Sequence, residues 1–240
     1  MPLLKILKYG HPLLRAKALD LKSVGPREHG LMADMAETMY AARGIGLAST
    51  QVGWMERVFV IDVDQRRAPA ADAGDAGGAD DAEDEDEDDD DDDDNADLAI
   101  EESTAGDAPR VNALVAANAA PGLVRRVRVF VNPTVTAESE DDAPFKEGCL
   151  SIPGVEGTVY RPERLKIAAF DENLQPFEAE IGGLLARVFL HELDHLEGQL
   201  FVDKLPRLKR SLVAGALNRI KKDAAEEAAA DPAGYPTPAR

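Results

Sequence analysis

The chain has 240 residues, 44% hydrophobic and 30% charged, which suffices for one hydrophobic core of ordinary size. Its net charge of −19 is local, because 21 acidic residues and three basic ones (Arg66, Arg67, Arg110) fall between Asp64 and Arg110, leaving 25 acidic and 24 basic elsewhere. The acidity therefore excludes no class of substrate, whereas a single cysteine, Cys149, excludes an intramolecular disulfide framework and fits a reducing compartment.

The opening residues, Met1-Pro-Leu-Leu-Lys-Ile, have neither a signal-peptide apolar region nor the Arg/Ser-rich character of a transit peptide. No apolar run in the chain approaches the roughly 20 residues of a membrane helix. The expectation is a soluble cytoplasmic protein with no membrane partner. Arg27 to Arg43 reads as a helix, with Leu31, Met35, Met39 and Ala42 at helical spacing and Gly44 at the C-cap side. Arg57 to Asp62 and Arg126 to Val131 are rich in β-branched residues and read as strands. Between them every residue from Asp80 to Asp94 except Ala82 is acidic, so the run repels itself and has little surface to bury. Residues 67–122 are expected to be a disordered acidic insert in a β-hairpin connection, tolerable because closure entropy grows only logarithmically with loop length.

Leu165 to Phe170 and Pro176 to Ile181 read as a second strand pair, after which Gly182-Gly183 opens a helix reaching His195. Pro206 breaks the chain before a basic amphipathic helix from Arg207 to about Ala230, and residues 231–240 are expected to be a flexible tail. Antiparallel neighbours with segregated helices argue an α+β fold, with 1–66 and 123–230 forming a single catalytic domain.

His191-Glu192-Leu193-Asp194-His195 carries the strongest chemical signal. On a helix, residues four apart share a face, so both imidazoles can reach one metal ion. Glu192 can then touch a water at that ion without ligating it. Two histidines could also be ordinary polar residues of a surface helix, but these lie in an apolar helix, where imidazoles need partners. A catalytic centre of this kind takes three protein ligands and leaves a position open. His11 and His29 fall in segments read as surface, no histidine follows His195, and Glu197 is too close along the helix. Cys149, in Glu147-Gly-Cys-Leu-Ser151, is the obvious third ligand; its alternative is a buried small hydrophobe. A third segment, Gly44-Ile-Gly-Leu-Ala-Ser-Thr-Gln51, has glycines that permit close approach to a ligand and an amide able to meet an oxyanion.

These three segments, in this order, resemble the peptide deformylases, whose motifs read GxGLAAxQ, EGCLS and HExDH. The similarity extends over Leu4 to Asp62 and Arg126 to about Lys222. It implies a compact domain with antiparallel strands packed around a central metal-binding helix, plus a C-terminal helix. It also implies hydrolysis of the N-formyl group from formyl-methionine on nascent polypeptides, a co-translational step of protein biosynthesis that releases formate. Cys149, His191 and His195 would hold one divalent ion, ferrous iron by family habit, with zinc, nickel or cobalt as substitutes. Glu192 would be the general base, and the Gln51 amide and the Leu150 N–H would donate to the oxyanion. Backbone of Ile45 and Gly46 would pair with the peptide, and Ile45, Leu184 and Val188 would line the methionine pocket. The basic C-terminal helix would meet the ribosome near the exit tunnel.

Three positions depart from the family pattern. Ser49 replaces alanine, Glu156 stands where arginine is common beside the cleft, and Arg187 lies where apolar residues are common. A zinc peptidase would share the histidine motif but leave Cys149 and Gly44 to Gln51 unexplained. A non-catalytic binding homologue would have no need of Glu192, Gln51 and three ligands together.

Overall fold

The computed structural model describes residues 3–64, 66–67 and 123–230. Helix α1 spans Pro26–Ala41. Glu28 accepts the Gly25 N–H at 2.9 Å, and Pro26, with no N–H to satisfy, starts the first turn. At its far end Arg43 N–H donates to the Tyr40 carbonyl and Gly44 N–H to the Met39 carbonyl, a paired closure of the last turn. The left-handed residue there is Arg43 (φ 57°), not Gly44, at a cost of about 1 kcal/mol. Gly44 is required for space instead, since a Cβ would sit 2.6 Å from the Leu150 side chain.

Five strands form one antiparallel sheet, ordered β1 (Gly46–Ala48), β2 (Val58–Ile61), β5 (Arg128–Glu138), β8 (Arg164–Phe170) and β9 (Pro176–Gly182). Val58 pairs with Val131 and Leu165 with Ile181, as expected of the two strand pairs. Both faces of the central strands are covered, which is why they read as continuous apolar runs. Phe59, Ile61 and Phe130 face α2 (Gly183–Leu196), where Phe189 meets both rings edge-on at 5.1 and 5.2 Å. Val58, Val60, Val129 and Val131 point the other way, onto Met32, Met35 and Met39 of α1. The helix carrying the two histidines thus lies on one face of the sheet with its inner side buried.

The acidic insert leaves the sheet between β2 and β5. At its base β3 (Arg66–Arg67) pairs with β4 (Leu123–Val124), so Arg67, assigned to the insert, belongs to a short strand. Apart from this residue, 67–122 lies outside the described residues, as does 231–240.

One element went unread in the sequence. β6 (Asp142–Cys149) and β7 (Ile152–Pro162) form a separate antiparallel hairpin. It is backed by the turn at Phe201–Asp203 and by α3 (Arg207–Ala230), whose Leu217 packs among Ile152, Val155, Val159 and Leu205. The rest of α3 is mostly exposed, including Leu208 and Leu212, while Ala228 reaches the cluster of Leu7, Leu13 and Leu14. Gly198, just beyond α2, has φ 72°, and a Cβ there would lie 2.6 Å from the Arg15 carbonyl oxygen, so glycine alone fits.

Candidate metal centre

α2 presents His191 and His195 on one side, their ring centroids 5.1 Å apart. The end of β6 brings Cys149 against them, its Sγ 3.2 Å from His195 Nε2. The three candidate ligand atoms all lie within 4.8 Å of one another. A thiolate and two imidazoles at this separation suit a single divalent ion of the zinc or ferrous type. Among the described residues no other group of this kind forms. His11 caps its own short helix by accepting the Leu13 N–H, His29 contacts the Glu172 carbonyl, and Glu197 binds Lys17 and Arg57.

Glu192 is 3% exposed and its Oε2 has no hydrogen-bond partner among the described residues. Burial pushes its carboxyl up to about 7, against the pull of nearby His191 and of the Ala48 N–H. Gly46 makes room for it, since a Cβ there would come within 2.4 Å of Glu192 Oε1 and 2.8 Å of Val188. The Gln51 side chain is held at both ends. Its Oε1 accepts the Ala48 N–H at 2.8 Å, which turns Nε2 toward Ser151 Oγ at 3.0 Å and Cys149 Sγ at 3.5 Å.

Ile45, Gly46, Gln51, Cys149, Leu150, Leu184, Val188, His191 and Glu192 line one groove of about 790 Å³, and His195 lies behind it, 1% exposed. All ten residues singled out in the sequence therefore converge. Glu156 also lines this groove, but it pairs with Lys146 at 2.8 Å, so the mouth carries an ion pair rather than an isolated negative charge. Ser49 is fully buried and donates to the Glu56 carbonyl, which accounts for a hydroxyl at that position.

The sequence reading assigned no role to the charged layer behind the ligands. Glu147, 5% exposed, accepts from Arg161 Nε at 2.7 Å and Nη2 at 2.9 Å, and meets His191 Nδ1 at 2.9 Å. Arg161 also reaches Asp194 at 2.7 Å, and Arg187 contacts Glu147 and the Ala143 and Val159 carbonyls. Burial alone would raise the Glu147 carboxyl, but the bonds from Arg161 and His191 outweigh it and hold it down at about 2. Arg187 is thus a partner of the buried carboxylate, which explains a charge on the apolar pocket helix. One signal was available. Residues two apart on a strand share a face, so a ligand at Cys149 places Glu147 on the metal side of β6.

Comparison with known proteins gives a consistent result. The family model for polypeptide deformylase matches residues 3–211. The peptide deformylase of Salinibacter ruber is 35% identical over 198 residues, covering 82% of this chain and 78% of that protein. That of Neisseria meningitidis is 34% identical, covering 82% of this chain and 84% of the relative. Among solved structures, the Plasmodium falciparum peptide deformylase superposes with a TM-score of 0.65 at 26% identity, covering 92% of this chain and 98% of the other. A peptide deformylase from Legionella pneumophila gives 0.63 at 29% identity, covering 93% of this chain and 98% of the other.

Proposed function

The chain belongs to the peptide deformylase family, and from that premise we propose that Cys149, His191 and His195 hold its metal ion, with Glu192 as general base. The enzyme is a metal-dependent hydrolase that removes the N-formyl group from formyl-methionine at the start of nascent polypeptides, releasing formate. The observation that carries the site assignment is the cluster of three ligand atoms within 4.8 Å beside a buried carboxylate oxygen with no partner among the described residues. When bound, the ion polarises the formyl carbonyl and acidifies the attacking water.

The protein's own part follows from the groove. The peptide lies along the open edge of β1, pairing with backbone of Ile45 and Gly46, and its methionine enters between Ile45, Leu184 and Val188. Glu192 takes the proton of the attacking water and later delivers it to the departing amine. Gln51 Nε2, turned by the bond from Ala48 N–H to Oε1 and 1% exposed, donates to the oxyanion together with the Leu150 N–H as charge develops. Ferrous iron is the proposed physiological ion, and zinc, nickel or cobalt fit the same donors.

One catalytic domain, built from 1–67 and 123–230, carries these parts. We place the reaction in the cytoplasm and propose that α3 brings the enzyme to the ribosome. Support comes from exposed Leu208 and Leu212 interleaved with Arg207, Lys209 and Arg210. Co-sedimentation of wild type and Arg207→Glu/Lys209→Glu/Arg210→Glu with ribosomes over a salt series tests that contact, because released counterions make it steeply salt-dependent. Equal binding by both proteins rejects it. For the reaction itself, the test is formate release from a formyl-methionyl tripeptide against cleavage of an internal peptide bond, with activity referred to metal content after anaerobic purification. Peptide-bond cleavage without formate release overturns the proposed site chemistry.

A further inference from the structure

We propose that Lys8 is a positioning residue for this reaction, holding the Cys149–Ser151 turn in place through the Leu150 carbonyl. The turn carries the candidate thiolate ligand and the N–H assigned to the oxyanion, so the proposal rests on the site reading above.

The β6–β7 ladder holds this turn only at its ends, Cys149 and Ile152. Its register runs from Gly148↔Glu156 directly to Cys149↔Ile152, so a slip falls at the ligand, and Leu150 and Ser151 have no ladder partner. Gln51 Nε2 holds the Ser151 hydroxyl, and the bonds to the turn's two carbonyls come from the N-terminal segment. Lys8 Nζ donates to the Leu150 carbonyl at 2.8 Å, and Tyr9 N–H donates to the Ser151 carbonyl at 2.8 Å. One residue earlier, Leu7 N–H donates to the Gln51 carbonyl at 2.7 Å. Three consecutive residues thus tie the Gln51 segment to the Cys149 segment, which are about a hundred positions apart in sequence.

The tie is itself braced. Leu7 is fully buried against Leu13 and Leu14, with Ala228 of α3 packed on the same cluster, and Lys5 pairs with Glu227 of α3 at 3.0 Å. Lys8 also lines the groove, where burial pulls its ammonium below the ordinary lysine value although Cys149 and Glu227 nearby partly offset this. An ammonium-to-carbonyl bond is charge-assisted and short, so it restrains the peptide plane more firmly than a neutral donor would. Misplacing a reacting group by about 1 Å can cost on the order of 100-fold in rate, so even partial slack here should be measurable.

The test compares wild type, Lys8→Met and Lys8→Arg as cobalt-loaded enzymes. Lys8→Met should lower kcat by roughly tenfold with KM within about threefold of wild type. It should also shift the thiolate-to-cobalt charge-transfer band and release cobalt faster to a chelator. Lys8→Arg, which keeps donor and charge, should recover most of each. Unchanged kcat, band and release rate in Lys8→Met overturn the proposal, as does a loss confined to KM. A wild-type enzyme with no thiolate band overturns the ligand assignment first, and the two failures are told apart by that spectrum.

Discussion

Glu147 meets Nδ1 of His191 at 2.9 Å, joining the motif that contains Cys149 to the motif that contains both histidines. With Nδ1 engaged, the ring turns Nε2 toward Cys149 and His195, and the carboxylate strengthens the imidazole as a donor. Glu147→Ala is therefore expected to weaken metal binding by about 10–100-fold. It also takes the Nε and Nη2 partners from Arg161, which is 3% exposed and keeps only Asp194 as a charged partner, and should destabilise the fold by about 1–3 kcal/mol. Competition titration with a chelator and denaturant unfolding check the two effects. Glu147→Gln should be milder in both.

Glu192→Gln should keep its metal and lose about 10²–10⁴-fold in kcat, because a base rather than a ligand is removed. Burial lifts the Glu192 carboxyl to about 7, and a divalent ion beside it favours the carboxylate. The acid limb of kcat/KM in the wild type should accordingly fall below pH 7, activity rising as the carboxyl loses its proton. A variant that titrates like wild type would remove Glu192 from the role of base.

Cys149→Ser should bind the ion far more weakly, since a hydroxyl replaces the soft thiolate donor. In the wild type the same thiolate makes an oxidation-sensitive site. Peroxide should inactivate the iron-loaded enzyme faster than the nickel-loaded one, read as residual activity alongside mass analysis of Cys149.

Deleting residues 68–121 should leave an enzyme with near-normal kcat/KM and an unfolding free energy within about 1 kcal/mol of wild type. The reason is that Arg66–Arg67 and Leu123–Val124 already pair, so the ends to be joined are neighbours. Loss of cooperative unfolding in the deletion variant would show that the acidic segment supports the fold.

Asp203 and Glu197 link stability to acid pH. Burial raises the Asp203 carboxyl, but its bonds from Arg15 and the Leu200 N–H outweigh this and lower it, while Lys17 and Arg57 lower Glu197. Carboxyls depressed in the folded state stabilise it above their unfolded values, and that contribution is lost as pH falls through the folded ones. Arg15→Met/Arg57→Met should therefore be less stable than wild type at neutral pH, with the gap narrowing below about pH 4. A gap that stays constant down to about pH 2, below the ordinary carboxylate range, would count against these pairs.

Much of this protein was legible in one dimension because the relevant physics is local. The two histidines share a face because a helix turns every 3.6 residues, and α2 begins at Gly183 as its two glycines suggest. The runs at Val58–Ile61 and Arg128–Val131 announced strands through β-branched side chains, and Pro206 marked the start of α3. The β6–β7 hairpin gave no such signal. Its burial alternates poorly, with Pro144, Phe145 and Lys146 all exposed, and its stability comes from packing on Phe201, Leu205 and Leu217.

What tertiary structure alone decided is the environment of each charge. Glu147 and Arg161 are ordinary surface residue types until the hairpin folds onto α2 and removes water from both, after which each needs charged partners, found in one another and in Asp194, Arg187 and His191. The same burial shifts the Glu192 carboxyl toward neutrality and leaves one of its oxygens without a partner among the described residues. Lys8 reaches Leu150 across 142 positions of sequence because α3 presses the N-terminal segment against the turn. Residue identity and spacing chose the ligands, while desolvation, which depends on what else packs nearby, determined how they are held.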